Sequence, residues 1–179
     1  MTAFAVDANS EVEMITVLAG LFQSQLDLPD DRCWIYNQKI DIRPDKGVFI
    51  DVGFIGERVI GNNRQYVSTT AGLNEIIGTV VQETYSATIF SYDASARRRK
   101  FEMAMALTST QCQQLAEKYC FSVGYIPTTF VDVSAVEASA RLNRYEMTFN
   151  VTRRYELTRT VEYFDNFELA VPPEVHTEP

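Results

Sequence analysis

Histidine is nearly absent from this chain of 179 residues. The single histidine, His176, follows Pro172 and Pro173 close to the C-terminus. Nucleophilic catalysis by serine or cysteine, and many zinc sites, depend on histidine as a base or a ligand. The sequence also lacks a Gly-x-x-x-x-Gly-Lys-Ser/Thr loop, a Gly-x-Gly-x-x-Gly segment and a Cys-x-x-Cys pair. We therefore expect a protein that is not an enzyme, with no catalytic residues, no metal site and no cofactor.

Cysteine is scarce, and long apolar runs are missing. Cys33, Cys112 and Cys120 are odd in number and lack the spacing of metal ligands. We therefore expect reduced thiols in a chain that folds in a cytosol. No apolar run approaches the roughly 20 residues that cross a membrane as a helix. The N-terminal stretch MTAFAVDANSEVEM also lacks the basic and then apolar pattern of a secretion signal. These features predict that no membrane is a partner.

Positive charge is in deficit. The chain has 16 lysines and arginines against 24 aspartates and glutamates, which gives a formal net charge of −8. A protein that binds nucleic acid without sequence preference needs a positive surface, so this balance argues against that function. It suits a surface along which DNA passes without being held.

Length and composition predict one domain. Hydrophobic residues make up 46% of the chain and charged residues 22%, which is typical of a soluble globular protein with a sizeable core. We assign residues 1–171 to a single domain. The end of the chain is polar and rich in proline, and it predicts a flexible tail over residues 172–179.

Helical patterns recur in two parts of the chain. Residues 10–13 have the spacing of a capping box, and apolar residues then follow at helical spacing as far as Leu26, before Pro29. Asp93 is suited to cap a second helix. Another capping-box pattern at residues 110–113 predicts a third, shorter helix directly after the second.

Strand patterns surround these helices. An apolar segment at 48–60, followed by Gly-Asn-Asn at 61–63, predicts a hairpin with its turn at those three residues. A long strand is predicted over residues 76–92. An extended segment at 130–139 is expected to pair with a C-terminal strand that follows a turn at 139–143. Strands in blocks, with helices grouped between them, predict an α+β fold. We expect a mainly antiparallel sheet with long strands, packed by the N-terminal helix and a central helix pair.

The most regular stretch of the sequence runs from Tyr145 to Tyr163. Its odd positions are apolar except for two arginines and its even positions are polar, a period of two that places successive side chains on opposite faces of a strand. These 19 residues would extend roughly 60 Å at about 3.3 Å per residue, far beyond a common strand. We expect the apolar face to be buried at Tyr145, Met147, Phe149 and Val151.

Arg153 and Arg159 interrupt that apolar face and predict the point where the strand leaves the core. One interpretation is a long core strand that bends at a bulge. The other is a strand that projects beyond its own domain and contacts another subunit. Under the second interpretation four residues are candidates for the subunit interface: Arg153, Tyr155, Leu157 and Arg159.

A run of four basic residues begins at Arg97. Successive residues of a helix point about 100° apart, so the run cannot form one basic face for a phosphate group. Its side chains either point into solvent around the helix or form ion pairs with an acidic neighbouring subunit. The second interpretation adds three candidate interface residues: Arg97, Arg98 and Arg99.

Two stretches resemble a known family. The segments TIFSYDASARRRKFEMAMAL and RLNRYEMTFNVTRRYELTRTVEYFDNFEL are similar to the neck and tail terminator proteins of tailed bacteriophages. In that family a long strand enters a helix through a Tyr-x-x-x-Ala junction, here Tyr92 to Ala96. A later strand opens on Arg-Tyr, here Arg144 and Tyr145, and closes on a hydrophobic, aromatic and acidic step, here residues 161–165. The resemblance covers roughly residues 76–170.

The resemblance implies an α+β subunit of a closed homo-oligomeric ring, sixfold and located in the tail or neck of a virion. The subunit would be made in the cytoplasm of the host bacterium. Such a ring ends growth of the tail tube and offers a docking surface to the head-completion or connector protein. DNA would pass through it without specific binding.

Two alternatives stay open. Residues 34–63 match nothing in that family, and the Tyr92–Ala96 junction lacks a glycine that many of its members have, so another head–tail connector or a tube-related protein also fits. The other alternative is a small soluble α+β module that binds a ligand or a protein. Its site would lie between sheet and helices, near Trp34, Tyr36, Phe101 and Tyr119.

Overall fold

The chain folds into an α+β structure with a mostly antiparallel sheet, which confirms the predicted fold class. The computed structural model describes residues 5–6, 13–36, 47–69, 72–126, 129–137 and 140–161. In chain order the elements are β1 (Ala5–Val6), α1 (Met14–Gln25), β2 (Cys33–Ile35), β3 (Phe49–Thr69), β4 (Gly72–Ser91), α2 (Ser95–Thr108), α3 (Thr110–Tyr119), β5 (Phe121–Val123), β6 (Val131–Asp132), β7 (Ala135–Glu137) and β8 (Ala140–Val161). A short 3-10 helix, Asp30–Arg32, precedes β2.

Three long strands form the centre of the sheet, in the order β1-β8-β4-β3-β2. β3 and β4 form an antiparallel hairpin, and β8 pairs with the other side of β4 along almost its whole length without a register shift. The short strand β2 joins β3 in parallel. Along the outer edge of β8 lie β7, β6, β5 and β1, one after another. The predicted pairing of the 130–139 segment with the C-terminal strand is therefore confirmed.

The predicted turn at residues 61–63 is wrong, because β3 continues through these residues to Thr69. The register of β3 against β4 shifts at two irregularities, and Gly56 and Gly61 lie directly beside them. Glycine in a strand often marks such a bulge. A two-residue hairpin turn favours Asn-Gly, whereas this sequence has the order Gly-Asn-Asn. Residues 70–71, between β3 and β4, lie outside the described residues.

The predicted turn at residues 139–143 is also wrong over most of its length. Residues 140–143 belong to β8, where they pair with β7 and β4. Residues 138–139, between β7 and β8, lie outside the described residues. So do the last predicted strand residues, 162–163, and the predicted tail over 172–179.

Two helices begin one residue away from the predicted cap. Ala94 occupies the N-cap position of α2, although Asp93 Oδ1 still accepts a hydrogen bond of 2.8 Å from the Ser95 amide. Ser109 caps α3, since its Oγ accepts a hydrogen bond of 3.1 Å from the amide of Cys112. A membrane span would need a longer and more apolar helix than any that the described residues form.

The start of α1 differs from the predicted capping box. Glu13 occupies its N-cap position, and the side chain of Glu13 makes no capping hydrogen bond. Ser10, the predicted cap, lies outside the described residues. The helix nevertheless ends at Gln25, close to the predicted end before Pro29.

The main core lies between one face of the sheet and the helices. α1 packs against β2 and β3, and α2 packs against β4 and β8. The ring of Phe149 on β8 meets Phe22 of α1 edge-on at 6.1 Å and stacks with Tyr85 at 6.0 Å. The prediction of a buried apolar face at the start of the C-terminal strand is confirmed for all four residues: Tyr145, Met147, Phe149 and Val151.

A second, smaller apolar cluster lies on the opposite face of the sheet. Its buried members are Phe49, Phe90 and Leu142. Trp34 stacks on Phe49 at 5.3 Å between ring centroids, so this tryptophan completes a core. Tyr36, two residues later, is 61% exposed.

Candidate subunit interface

The three long strands divide into two regions, which we call the body and the blade. The body comprises residues 49–56, 84–91 and 140–151 of β3, β4 and β8. The blade comprises residues 57–69, 72–83 and 152–161 of the same strands. Val151 is the last residue of β8 in the main core, and the blade extends about 35 Å beyond it at the usual rise per residue. β8 pairs with β4 through this region without a register shift, so among the described residues it continues past the main core without a bulge.

Buried side chains in the blade are of an unusual kind. Most blade residues are exposed or half-buried, and five are buried: Glu75, Gly78, Val81, Glu83 and Arg153. Charged side chains are rarely buried unless they are paired. The blade pairs them in two networks, one where it joins the body and one near its tip.

The first network surrounds Glu83 at the junction of blade and body. Tyr85 donates a hydrogen bond of 2.6 Å to Glu83 Oε2, and Tyr155 donates one of 2.8 Å to Glu83 Oε1. Arg153 Nη1 lies 3.7 Å from the same Oε1. Burial, reinforced by Glu83, raises the pKa of Tyr85 and raises that of Tyr155 to about 12. Both phenols therefore remain protonated donors at neutral pH.

The second network surrounds Glu75 near the tip. Glu75 lies in the register row that joins Tyr66 of β3 to Arg159 of β8. Arg159 donates a short hydrogen bond to Glu75 Oε2, Tyr66 donates one of 3.2 Å to Oε1, and Arg64 Nε lies 3.0 Å from Oε1. The hydrogen bond from Arg159 is the main cause that holds the pKa of Glu75 below its usual range, although burial opposes it. One carboxylate thus links all three strands.

Among the described residues, none pairs with the outer edge of β3 over most of its length. The last backbone contact from the β2 side is the hydrogen bond of 2.8 Å that the Tyr36 amide donates to the Val52 carbonyl. Beyond it, no strand of the described chain pairs with the outer edge of β3. Five large apolar side chains of this strand are about half exposed or more: Phe54, Ile55, Val59, Ile60 and Tyr66. An open edge with exposed apolar side chains is a site for association with another chain.

The seven predicted interface residues fall into two distant groups. Arg97 lines a depression beside Tyr145, and Leu157 lies further along the same continuous strand. Tyr145 and Leu157 are 12 residues apart on β8, which corresponds to roughly 40 Å at about 3.3 Å per residue. The α2 arginines and the blade residues therefore belong to different surfaces of the subunit.

The three α2 arginines also differ from one another. Arg97 and Arg98 are exposed. Arg99 forms an ion pair of 2.8 Å with Glu102 and donates a hydrogen bond of 2.6 Å to the Leu26 carbonyl, which ties α2 to the end of α1. Arg99 therefore has a role within the subunit, whereas the guanidinium groups of Arg97 and Arg98 face outward.

The four blade candidates also have different exposures. Arg153 is buried beside Glu83, and Arg159 is 44% exposed where it binds Glu75. Tyr155 and Leu157 are half-buried. Half-buried apolar groups on a projecting sheet leave surface for a second chain, so Tyr155 and Leu157 remain the stronger interface candidates of this group.

Sequence reasoning missed the β3 edge and the buried glutamates. Val59 and Ile60 were expected in one arm of a shorter hairpin, so a long open edge was not foreseen. A signal for the glutamates was present: Glu75 and Glu83 share the alternation of the apolar residues Tyr85 and Ile89. The two acids on that face of β4 are complementary in charge to the arginines on the same face of β8.

The aromatic residues of the binding-module alternative do not form one site. Trp34 packs on the sheet face opposite the helices, and Tyr36 lines a groove on that same face. Phe101 contacts Phe130 on the outer side of α2. Tyr119 lines a shallow depression between α1 and α3. A single ligand between sheet and helices cannot contact all four, because they lie on different sides of the molecule.

Chemically reactive groups are few in the described chain. The three cysteines, all of which lie within it, form no disulfide. Burial raises the pKa of the Cys33 thiol to about 12, and its Sγ donates a hydrogen bond to the Ala19 carbonyl. Burial also raises the pKa of Cys112. No cluster of three or more metal-ligating side chains occurs among the described residues.

Comparison of the sequence with models of protein families and with curated proteins finds no match to either. The function is therefore inferred from the structure of the chain itself. The two most informative features of the described residues are the blade, which extends beyond the main core, and the outer edge of β3, which no described strand covers beyond β2.

Proposed function

We propose that this chain is a structural subunit of a tailed-bacteriophage virion. In this proposal it forms a homo-oligomeric ring at the neck or tail terminus, which caps the tail tube and presents a docking surface for the head. The observation that carries the proposal is the difference between the two edges of the sheet. Among the described residues, no strand pairs with the β3 edge beyond β2, and five large apolar side chains of β3 are exposed, whereas short strands cover much of the β8 edge.

Two edges that differ from each other favour head-to-tail association of the subunits. If the β3 side of one subunit contacts a different surface on the next, the interface is heterologous, and repeated contacts of that kind close into a ring when the rotation allows. A twofold dimer would instead need the same surface on both partners. The blade, which stands clear of the core, gives each subunit a wall that adjacent subunits can share.

The sheet face opposite the helices suits a channel for DNA. Register places six charged residues of the long strands on this face, three acidic and three basic: Asp51, Glu146, Glu156, Arg58, Arg144 and Arg154. Their charges cancel. Between them lie hydroxyl and amide side chains, such as Thr84 and Asn150, which share a hydrogen bond of 3.0 Å. Binding to the phosphate backbone depends on an excess of cations, so a wall whose charges cancel lets DNA pass.

Assembly can be tested with the purified chain and isolated tail tubes. We expect electron microscopy to show rings of the chain, alone or at one end of each tube, and native mass spectrometry to give the number of subunits. Val59→Lys should abolish both, because it places a charge in the apolar edge of β3. Gln114→Lys adds the same charge on the exposed surface of α3 and should leave assembly unchanged.

The same experiment discriminates between the alternatives. A wild-type chain that stays monomeric at all concentrations and never caps a tube would overturn the ring proposal and favour a binding module. Incorporation along the length of the tube would identify a tube-related protein. Attachment to the head rather than to the tail would identify another connector.

A further inference from the structure

The blade has an apolar strip on the sheet face that meets the helices in the body. Register places four residues there, which we call the blade strip: Val59, Tyr66, Ile77 and Leu157. Val59 and Tyr66 are exposed, and Ile77 and Leu157 are half-buried. The main core, in which the described helices pack, includes no residue of the blade. The strip extends roughly 20 Å at the usual rise per residue of a strand, so it is long enough for a further element to lie on it.

The tip end of the blade strip carries an excess of positive charge. Arg64 and Arg159 both bind the single carboxylate of Glu75, and both arginines are exposed. From Ile77 to the end of the blade, register places no other charged residue of the long strands on this face. Two guanidinium groups and one carboxylate leave one positive charge, so this face is complementary to an acidic partner.

The sequence that follows β8 is both apolar and acidic. β8 ends at Val161, and residues 164–171, which we call the C-terminal segment, read FDNFELAV with two acids and no base. At roughly 3.6 residues per turn, four of its apolar residues share one side of a helix: Phe164, Phe167, Ala170 and Val171. Both acids lie on the other side, together with Leu169. This spacing predicts a short amphipathic helix that ends before Pro172.

The length of the C-terminal segment favours the blade of a second copy over its own blade. As a helix the segment is about 12 Å long. If it turned back from Val161 onto its own blade, it would end near Ile77, since four residues of strand span about 13 Å. Val59 lies roughly 26 Å from that end of the blade and would stay uncovered. A segment that comes from another copy is not limited in this way.

The place where the segment begins also favours a second copy. Val161 lies at the end of the blade, about 35 Å beyond the main core. In the proposed ring adjacent subunits share the wall that the blades form, so the end of one blade lies beside the next subunit. Only residues 162–163 separate the segment from β8, which is the lower limit of the roughly two to six residues that usually connect a strand to a helix packed back on its own sheet.

We infer that residues 164–171 of one copy dock as an amphipathic helix on the blade strip of the next copy. The apolar side of the helix covers Val59 and Leu157, and its acids lie beside Arg64 and Arg159. The blade would then be covered as the body is, by a helix against the same face of the same three strands. This inference rests on the proposed ring, for which it names the segment that joins neighbouring subunits.

Two matched substitutions within the segment test the contact. Phe167→Asp places a charge at the centre of the apolar side of the helix, whereas Leu169→Asp places the same charge on the opposite side. We expect Phe167→Asp to weaken assembly at least tenfold in sedimentation velocity and to stop the capping of tail tubes. Leu169→Asp should assemble like the wild type. The pair also tests the helix, because Phe167 and Leu169 would share one face of an extended strand.

Mixing two defective chains tests whether the contact joins two copies. The Phe167→Asp chain keeps an intact blade, and the Leu157→Asp chain keeps an intact segment. The segment of the second can dock on the blade of the first, and no further contact can follow. Sedimentation should therefore show 1:1 dimers in the mixture, while each chain alone stays monomeric. Urea unfolding of each chain shows that the monomer remains folded.

A peptide measurement does not depend on ring closure. The acetylated and amidated peptide of residues 162–171, titrated into the full-length Phe167→Asp chain, should shift the NMR signals of Ile77 and Leu157. The signals of Ile89 in the body should not change. The same peptide with Phe167→Asp should shift none of them.

Each outcome has a distinct meaning. Rings that form normally with Phe167→Asp would overturn this inference and leave the ring standing, and equal losses with Leu169→Asp would overturn the helix. A mixture without dimers to which the peptide still binds would place the segment on its own blade and overturn the contact between copies. A wild-type chain that never assembles or caps a tube would overturn the ring itself. Loss with Phe167→Asp but not with Leu169→Asp, together with dimers in the mixture, would establish the contact.

Discussion

The body and the blade use the same three strands but bury opposite kinds of side chain. In the body, the face towards the helices buries apolar groups such as Met147 and Phe149. In the blade, the same face buries three charged groups, Glu75, Glu83 and Arg153, and one large apolar side chain, Val81. Apolar burial supplies most of the free energy of folding, whereas a buried ion pair contributes little net stability because desolvation offsets the attraction. We infer that the body stabilises the subunit and that the blade is specified mainly by its charge networks.

The charge networks of the blade fix the pairing register of its three strands. A sheet that is polar on both faces is prone to slip, and a slip of one residue moves every side chain to the other face. Glu75 resists such a slip because Tyr66 on one side and Arg159 on the other bind the same carboxylate. The network therefore keeps β3, β4 and β8 aligned where no core does so. An aligned blade has one defined surface, which is what the proposed contact between subunits requires.

The difference between body and blade predicts that a large-to-small substitution in the body causes the largest loss of stability. Phe149→Ala should lower the free energy of unfolding by about 3–5 kcal/mol, the usual range for emptying a buried aromatic site. Phe149 is buried and contacts both Phe22 and Tyr85. Leu157→Ala is the matched substitution on the same face of the same strand, and it should cost far less because Leu157 is half-buried. Urea unfolding of the monomer measures both, and equal losses would remove the distinction between body and blade.

The sequence predicts the body better than the blade, for a physical reason. Burial from Tyr145 to Val151 depends on alternation within one strand, which can be read locally. The open edge of β3 depends on which strands lie beside it, which no local pattern encodes. The irregularities beside Gly56 and Gly61 shift the register of β3, and in the sequence the same glycines resemble a turn. The groove that Tyr36 lines likewise depends on the alignment of three strands that are far apart along the chain.

An intermediate loss is predicted where the body meets the blade. Glu83→Gln removes a charge that Arg153 faces and alters the acceptor for two tyrosines, Tyr85 and Tyr155. Leaving buried polar groups unsatisfied should cost about 1–3 kcal/mol. Glu156→Gln is the control, since its partner Arg154 is about half exposed. Unfolding by urea should separate the two variants, and a Glu83→Gln chain as stable as the wild type would show that the junction network is dispensable.

A smaller effect, present at neutral pH and lost in acid, is predicted at the tip. The pKa of Glu75 is lowered in the folded chain, so its contribution to stability is fully present above the ordinary carboxyl pKa. It is lost as the pH falls through the lowered folded value. Glu75→Gln removes this contribution. The difference in thermal midpoint between wild type and Glu75→Gln should therefore shrink as the pH falls below the ordinary carboxyl value.

Hydrogen exchange localises that effect. Amides of β4 near Glu75 should exchange faster in Glu75→Gln at neutral pH, while those near Ile89 in the body should not change. A difference in midpoint that persists unchanged at low pH would show that the charge of Glu75 is not what holds the tip together.

The smallest loss of monomer stability, with the largest loss of assembly, is predicted for Leu157→Asp. Leu157 lies on the helix-side face of β8 within the blade, opposite Ile77 and beyond the main core. A charge there should change the free energy of unfolding of the monomer by about 1 kcal/mol or less, because the side chain keeps access to water. The same charge should prevent ring closure and capping of the tail tube if the blade contacts a neighbouring subunit, since an unpaired charge in an interface is costly. Urea unfolding and electron microscopy of the same preparation measure both quantities. If Leu157→Asp unfolds the monomer as thoroughly as Phe149→Ala does, β8 is core along its whole length and the blade is not an interface.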